Sequence, residues 1–139
     1  MVYSYTSGKQ TVNTDSVISF TNDSIKTGCT VTHTAGSGIF ILTKPGYYYV
    51  TVTADATATA DAVTDPIVLE LYNGTTPLSA AIASELSEST TDVVNLTINA
   101  IIKVLPSCCM VNNDVTLNVV NTGVNAILNN ITITITKIA

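Results

Sequence analysis

Residues 131–136 read Ile131-Thr132-Ile133-Thr134-Ile135-Thr136. The apolar side chains recur at every second position, so an extended chain carries the isoleucines on one side and the threonines on the other. A helix would scatter the same residues around its axis. Both residue types branch at Cβ and suit a pleated, half-buried surface. The stretch is therefore a β-strand with one dry face, and its isoleucine row belongs to a core.

The same period returns upstream. Val115-Thr116-Leu117-Asn118-Val119 alternates, as do Ile67, Leu69 and Leu71. Leu96, Ile98, Ala100, Ile102 and Val104 form a longer apolar row, with Thr97, Asn99 and Lys103 opposite. Turn signals separate the runs. Lys44-Pro45-Gly46 divides Ile39–Leu42 from Tyr47–Thr53, and Asn73-Gly74 fits a tight hairpin. Short strands spaced at intervals of about 8–12 residues indicate an all-β sandwich or barrel. Two segments read differently. Pro77–Leu86 spaces Leu78, Ile82 and Leu86 by four, but it is short for an independent helix, so it reads as an irregular strand with a helical turn as the alternative. Asp55–Asp65 is small, polar and of low complexity, and reads as a long exposed loop.

The 139 residues suit a single domain spanning 1–139, and a 46% hydrophobic, 11% charged composition excludes a disordered tail. The longest apolar run falls short of the ~18 residues that cross a bilayer, and no charged leader precedes one, so neither a membrane nor export is expected. Net charge is −5, and every basic residue is a lysine: Lys9, Lys26, Lys44, Lys103 and Lys137. That set offers no footprint for nucleic acid. Asp55, Asp61, Asp65, Glu70, Glu85, Glu88 and Asp92 lie between Pro45 and Ile102 without a lysine among them, which reads as a solvated acidic face.

Catalytic constellations are not visible. Cys29, Cys108 and Cys109 read as reduced structural cysteines, with a strained Cys108–Cys109 bridge as the alternative, and their spacing does not build a zinc site. His33 is the lone histidine and reads as a surface or interface residue; on a strand it stands ~13 Å from Cys29, beyond hydrogen-bond reach. Glu85, Glu88 and Asp92 read as a surface loop, and Asp55, Asp61 and Asp65 lack the ligand spacing of a calcium loop. Neither an enzyme nor a cofactor or metal site is expected.

The order of motifs carries a resemblance. Val17-Ile18-Ser19-Phe20 precedes Gly36-Ser37-Gly38-Ile39-Phe40, then Lys44-Pro45-Gly46-Tyr47-Tyr48-Tyr49-Val50, then Leu69-Glu70-Leu71-Tyr72-Asn73-Gly74, then Asn113-Asp114-Val115 and the terminal strand. This resembles the jelly roll of the complement globular-head and tumour-necrosis-factor superfamily, in its bacterial and phage branch. Gly38, Phe40, Pro45, Gly46, Asn73 and Gly74 carry the fold motif. The resemblance implies a two-sheet antiparallel jelly roll that assembles as a homotrimer, with Tyr48, Val50 or Val52 near the threefold axis. The alternative turns that row into the protomer's own core and leaves Tyr47 and Tyr49 to face neighbours. The family often has Gly-Asp where this chain has Asn113-Asp114. No collagen-like repeat or heptad run precedes the domain. The resemblance therefore implies a non-enzymatic structural virion protein, a stalkless head decorating a phage capsid at the virion surface. Residues 1–14 or one rim would dock on a capsid or other virion protein, and outer loops would touch a host-surface glycan or protein. The alternatives are the receptor-binding head of a phage tail or fibre, and a head on a bacterial spore or cell surface.

Overall fold

Ile131, Ile133 and Ile135 are buried between two sheets, as their alternation requires. The computed structural model describes residues 1–108 and 111–139. Cys109, and with it the Cys108–Cys109 bridge, lies outside the described residues. The strands in chain order are β1 (Val2–Val12), β2 (Ser16–Val17), β3 (Asn22–Lys26), β4 (Val31–His33), β5 (Phe40–Leu42) and β6 (Gly46–Ala58). There follow β7 (Ile67–Asn73), β8 (Thr76–Glu85), β9 (Val94–Val104), β10 (Val115–Asn121) and β11 (Ala126–Lys137). The front sheet has the order β3-β1-β11-β6-β9, and the back sheet the order β4-β5-β10-β7-β8, with the short β2 beside β10. Every pairing is antiparallel. From β5 onward the chain changes sheet at each connection except the β7–β8 hairpin, which makes the sandwich a jelly roll.

Cross-strand register settles which row of β6 faces the core. Val52 pairs with Ile133 and Val50 with Ile135, and directly opposed residues of paired strands share a face. Tyr48, Val50 and Val52 therefore point inward with the isoleucines and are 0–1% exposed. This corrects their expected place at a threefold axis: the row is consumed by the protomer's own core. Leu96, Ile98 and Ile102 of β9 join it from one side, and Ile67, Leu69, Leu71, Leu117 and Val119 face it from the back sheet. Burying each such aliphatic side chain stabilises the fold by roughly 1.5–3 kcal/mol.

Asp55–Asp65 is not one loop. Its first four residues continue β6, because Ala54, Ala56 and Ala58 extend the inward row in small side chains whose alternation the bland composition conceals. Pro77–Leu86 is an irregular strand through Glu85: β8 slips register between Glu70 and Tyr72, and Ala80 takes a positive φ of 64°. Asn73 still pairs with Thr76, so the hairpin turns on Gly74 and Thr75, with Gly74 at φ 61°. Gly38 leaves room for the Ile18 carbonyl, and a Cβ there would collide with it. The Tyr48 hydroxyl donates to the Lys44 carbonyl at 2.7 Å, which ties the Pro45 turn to the core.

Both Ile133→Asp and Val52→Asp are expected to unfold the chain, each costing roughly 4 kcal/mol or more, because each leaves a carboxylate in the sandwich interior. Circular dichroism melts check this. A Val52→Asp protein that melts normally as a smaller oligomer would restore that row to an interface.

Candidate functional site

If the even row of β6 faces inward, the odd row must face out. Register then assembles an outward surface across the front sheet, four strands wide. Tyr5, Thr132, Thr53 and Thr97 lie side by side on β1, β11, β6 and β9. Tyr3, Thr134, Thr51 and Asn99 form the next row, and Thr136, Tyr49 and Ile101 the one after it. The side chains are already ordered against each other. Thr53 and Thr132 share a hydroxyl hydrogen bond of 2.6 Å, and Asn99 Oδ1 accepts from Tyr49 at 3.0 Å and from Thr51 at 3.2 Å. Tyr3 and Tyr5 stack with ring centroids 6.2 Å apart, and Lys103 lies over the Tyr47 ring at 5.8 Å. Tyr47 and Tyr49 are 43% and 42% exposed, and Ile101 is 64% exposed. Across the three rows from Tyr5 to Ile101 no side chain carries a charge. On such a surface the tyrosines and Ile101 are the side chains suited to a protein contact.

The edge beside it is the least guarded of the four, with Lys103 near its end and β8 running alongside. Natural sheets blunt their edges with short strands, bulges, charges or proline. Three of the four edges here do so. β4 has three residues; β3 is short, bears Asp23 and Lys26 and slips register against β1; β8 carries Pro77, Glu85 and a register slip. By contrast, β9 pairs with β6 without a slip from Val104 to Val94, and its residues 94–102 hold neither charge nor proline nor glycine. A groove of about 380 Å³ opens between β9 and β8, lined by Leu78, Ala80, Ala100, Ile102, Lys103 and Val115.

A second cluster is polar and buried. His33 Nδ1 lies 2.6 Å from Asp23 Oδ1, which also accepts a 2.6 Å hydrogen bond from the Ser4 hydroxyl. His33 Nε2 sits 2.9 Å from the Ser37 carbonyl oxygen, and its ring stacks on Phe40 at 4.0 Å. Lys26 donates to the His33 carbonyl and stands 3.9 Å from Asp23 Oδ2. The expected surface histidine is thus an interior one, because this chain supplies every partner its ring needs. Serine, aspartate and histidine meet here in an unreactive order. The Ser4 hydroxyl donates to the carboxylate, so the ring does not face it as a base, and Nε2 is spent on a carbonyl. The cluster fastens β1 and β3 of the front sheet to β4 of the back sheet.

Burial pushes the Asp23 carboxyl up, but the hydrogen bonds from Ser4 and His33 and the positive charges of His33 and Lys26 outweigh it. The group rests below its ordinary value of 3.8. Burial likewise pushes the Tyr48 phenol up, against the pull of its bond to Lys44.

The remaining sequence candidates lie in strand ends and connections. Cys29, between β3 and β4, and Cys108, between β9 and β10, are both exposed. Glu85 ends β8, while Asp92 accepts the Glu88 amide at 2.9 Å within the loop that follows. Ile101 was not singled out from the sequence, although a signal existed: in Ile101-Ile102, neighbours on a strand, one side chain has to face out.

The folded Asp23 carboxyl binds its proton less readily than the unfolded one. The stability it contributes is therefore present above about pH 4 and is lost as pH falls through its lowered value. Asp23→Asn is expected to lower the melting temperature at neutral pH and to remove part of the acid-side decline. Melts taken between about pH 2 and 7 check both effects.

The fold has known counterparts. Neither a family model nor a curated protein matches the sequence, but solved structures share the fold. PRD1 vertex protein P5 superposes with a TM-score of 0.60 at 18% identity, covering 99% of this chain and 96% of that one. Eiger TNF from S. frugiperda gives 0.66 at 16% identity, covering 99% and 92%. Murine APRIL gives 0.56 at 8% identity, covering 99% and 98%. Over nearly its whole length, then, this chain has the tumour-necrosis-factor-like jelly-roll fold.

Proposed function

We propose that the protein is a structural protein of a phage virion, a non-enzymatic jelly-roll head that works as a homotrimer and decorates the capsid surface. The observation that carries this reading is the uncharged tyrosine and threonine face of the front sheet, bordered by the least guarded of its edges. It is supported by the end-to-end likeness to PRD1 vertex protein P5, a phage protein. The likeness to two tumour-necrosis-factor proteins supports the threefold state.

The contact surface follows from the residues. Tyr47, Tyr49 and Ile101 replace the buried row Tyr48, Val50 and Val52 as the side chains nearest a neighbour. A cyclic trimer is heterologous, so each copy presents two different patches. The front face and the β8–β9 groove beside it are two such patches, and the seam buries no charge except Lys103. The mechanism is mechanical. Three sandwiches brace one another, and a rim of the trimer seats on the shell.

The receptor-binding head of a tail or fibre has the same architecture in a different place. A bacterial spore or cell-surface head also keeps it. Labelling intact particles with an antibody against the chain separates these locations, since a decoration protein labels the shell and not the tail.

Light scattering of the purified chain is expected to give three times 14.5 kDa, unchanged on dilution. Tyr49→Asp and Ile101→Asp are each expected to yield single chains that melt as folded protein, since both side chains already face water in one protomer. A monomeric wild type, or trimers in both variants, overturns the assembly.

A further inference from the structure

The chain's charges are sorted by the fold in a way that its order in sequence does not show. Consider the end of the front sheet where β3, β9 and β11 finish and β6 begins. Lys26 closes β3, Lys137 closes β11, Lys44 sits in the turn that starts β6, and Lys103 lies one residue from the end of β9. Four of the chain's five lysines thus stand in a row across one end, spanning four inter-strand spacings, about 19 Å. Among the described residues, two side-chain carboxylates share that end: Asp23, held by Ser4 and His33 and 3.9 Å from Lys26 Nζ, and Asp114, which precedes β10. Lys137 Nζ also donates to the Ala139 carbonyl at 2.8 Å. The opposite end collects Asp15, Asp55, Asp61, Asp65, Glu85, Glu88 and Asp92 in strand ends and connecting loops, with Lys9 as its nearest cation.

β6 alone is 13 residues long, which separates the two ends by about 40 Å, several Debye lengths in physiological salt. The ends therefore act as separate surfaces, and the net charge of −5 describes neither. A cyclic trimer with its axis along the strands would multiply the effect: one rim with nine lysines besides the Lys103 of each seam, the other with twenty-one carboxylates.

We propose that the lysine end is the docking rim, and that its partner is a protein surface rich in clustered carboxylates. Lysine supplies compact point charges that match separate carboxylates. The row lacks the planar fork of arginine that favours phosphate, and it lies across a flat sheet end instead of a groove that could follow a nucleic-acid backbone. This deepens the virion reading, on which it rests for its setting. It names which rim faces the shell and leaves the acidic rim outward.

The test uses the full chain and immobilised poly-L-glutamate in dilute neutral buffer. The wild type is expected to be retained despite its net negative charge. Lys44→Gln/Lys137→Gln, which spares the seam residue Lys103, is expected to bind at least tenfold more weakly while keeping its melting curve. Asp61→Asn/Asp65→Asn/Glu88→Gln is expected to stay within twofold of wild type. Lys26 is left intact because it also holds the His33 carbonyl.

Three results overturn the proposal: no retention of the wild type, equal retention of the lysine variant, or tighter binding of the lysine end to duplex DNA than to poly-L-glutamate. Head-to-tail stacking of the chain on itself, abolished by either variant, would also overturn it by making a second copy the occupant. The virion reading stands or falls separately, on whether the chain is found in purified particles.

Discussion

The constraint on which the rest depends is the pairing of β6 with β11 and β9 in one fixed register. The isoleucine row of β11 must be dry, and its register partners on β6 have to be dry with it. That single condition sends Tyr48, Val50 and Val52 inward and turns Tyr47, Tyr49 and the odd side of β9 out. A slip of one residue would exchange the two sets and place five tyrosine and threonine side chains in the core. The outward surface is thus the complement of the core. Its chemistry is set by whatever residues the core did not use.

Two bonds to the edges make this register hard to lose. At one end the Tyr48 phenol reaches the Lys44 carbonyl and fixes where β6 begins. At one flank the buried Ser4–Asp23–His33 cluster joins the two sheets where β3 and β4 are too short to define themselves by hydrophobic alternation. Polar groups thus serve at the margin, where apolar rows run out. Breaking one of them there leaves a buried partner unsatisfied, which costs more than the bond itself contributed.

The architecture was legible in the sequence because alternation and turn chemistry are local. The rows of β7, β9, β10 and β11 appear as written, and the motif order pointed to the right superfold. What stayed hidden depended on pairing. Tyr47-Tyr48-Tyr49 offers an aromatic to either side, and only the β11 register says which row is buried. Ala54, Ala56 and Ala58 look like loop composition until the pairing with β11 shows them as the tail of an inward row. His33 is ordinary in sequence, since its partner Asp23 is ten residues away on another sheet. The sorting of charge to the two ends is invisible for the same reason: lysines 26, 44, 103 and 137 are scattered in the chain and meet only through topology.

The uncharged face has a further consequence for how the protein responds to its surroundings. A contact made of tyrosine rings, threonine hydroxyls and an isoleucine gains little from attraction between charges, so ionic strength barely alters it. A contact made by the lysine row behaves oppositely, because mobile ions screen it over about 8 Å in physiological salt and about 3 Å in molar salt. The two surfaces therefore separate under one simple variable. If the lysine row is the docking rim, concentrated salt would lift the head off its support with its apolar contacts intact, and fresh water would return it to its seat.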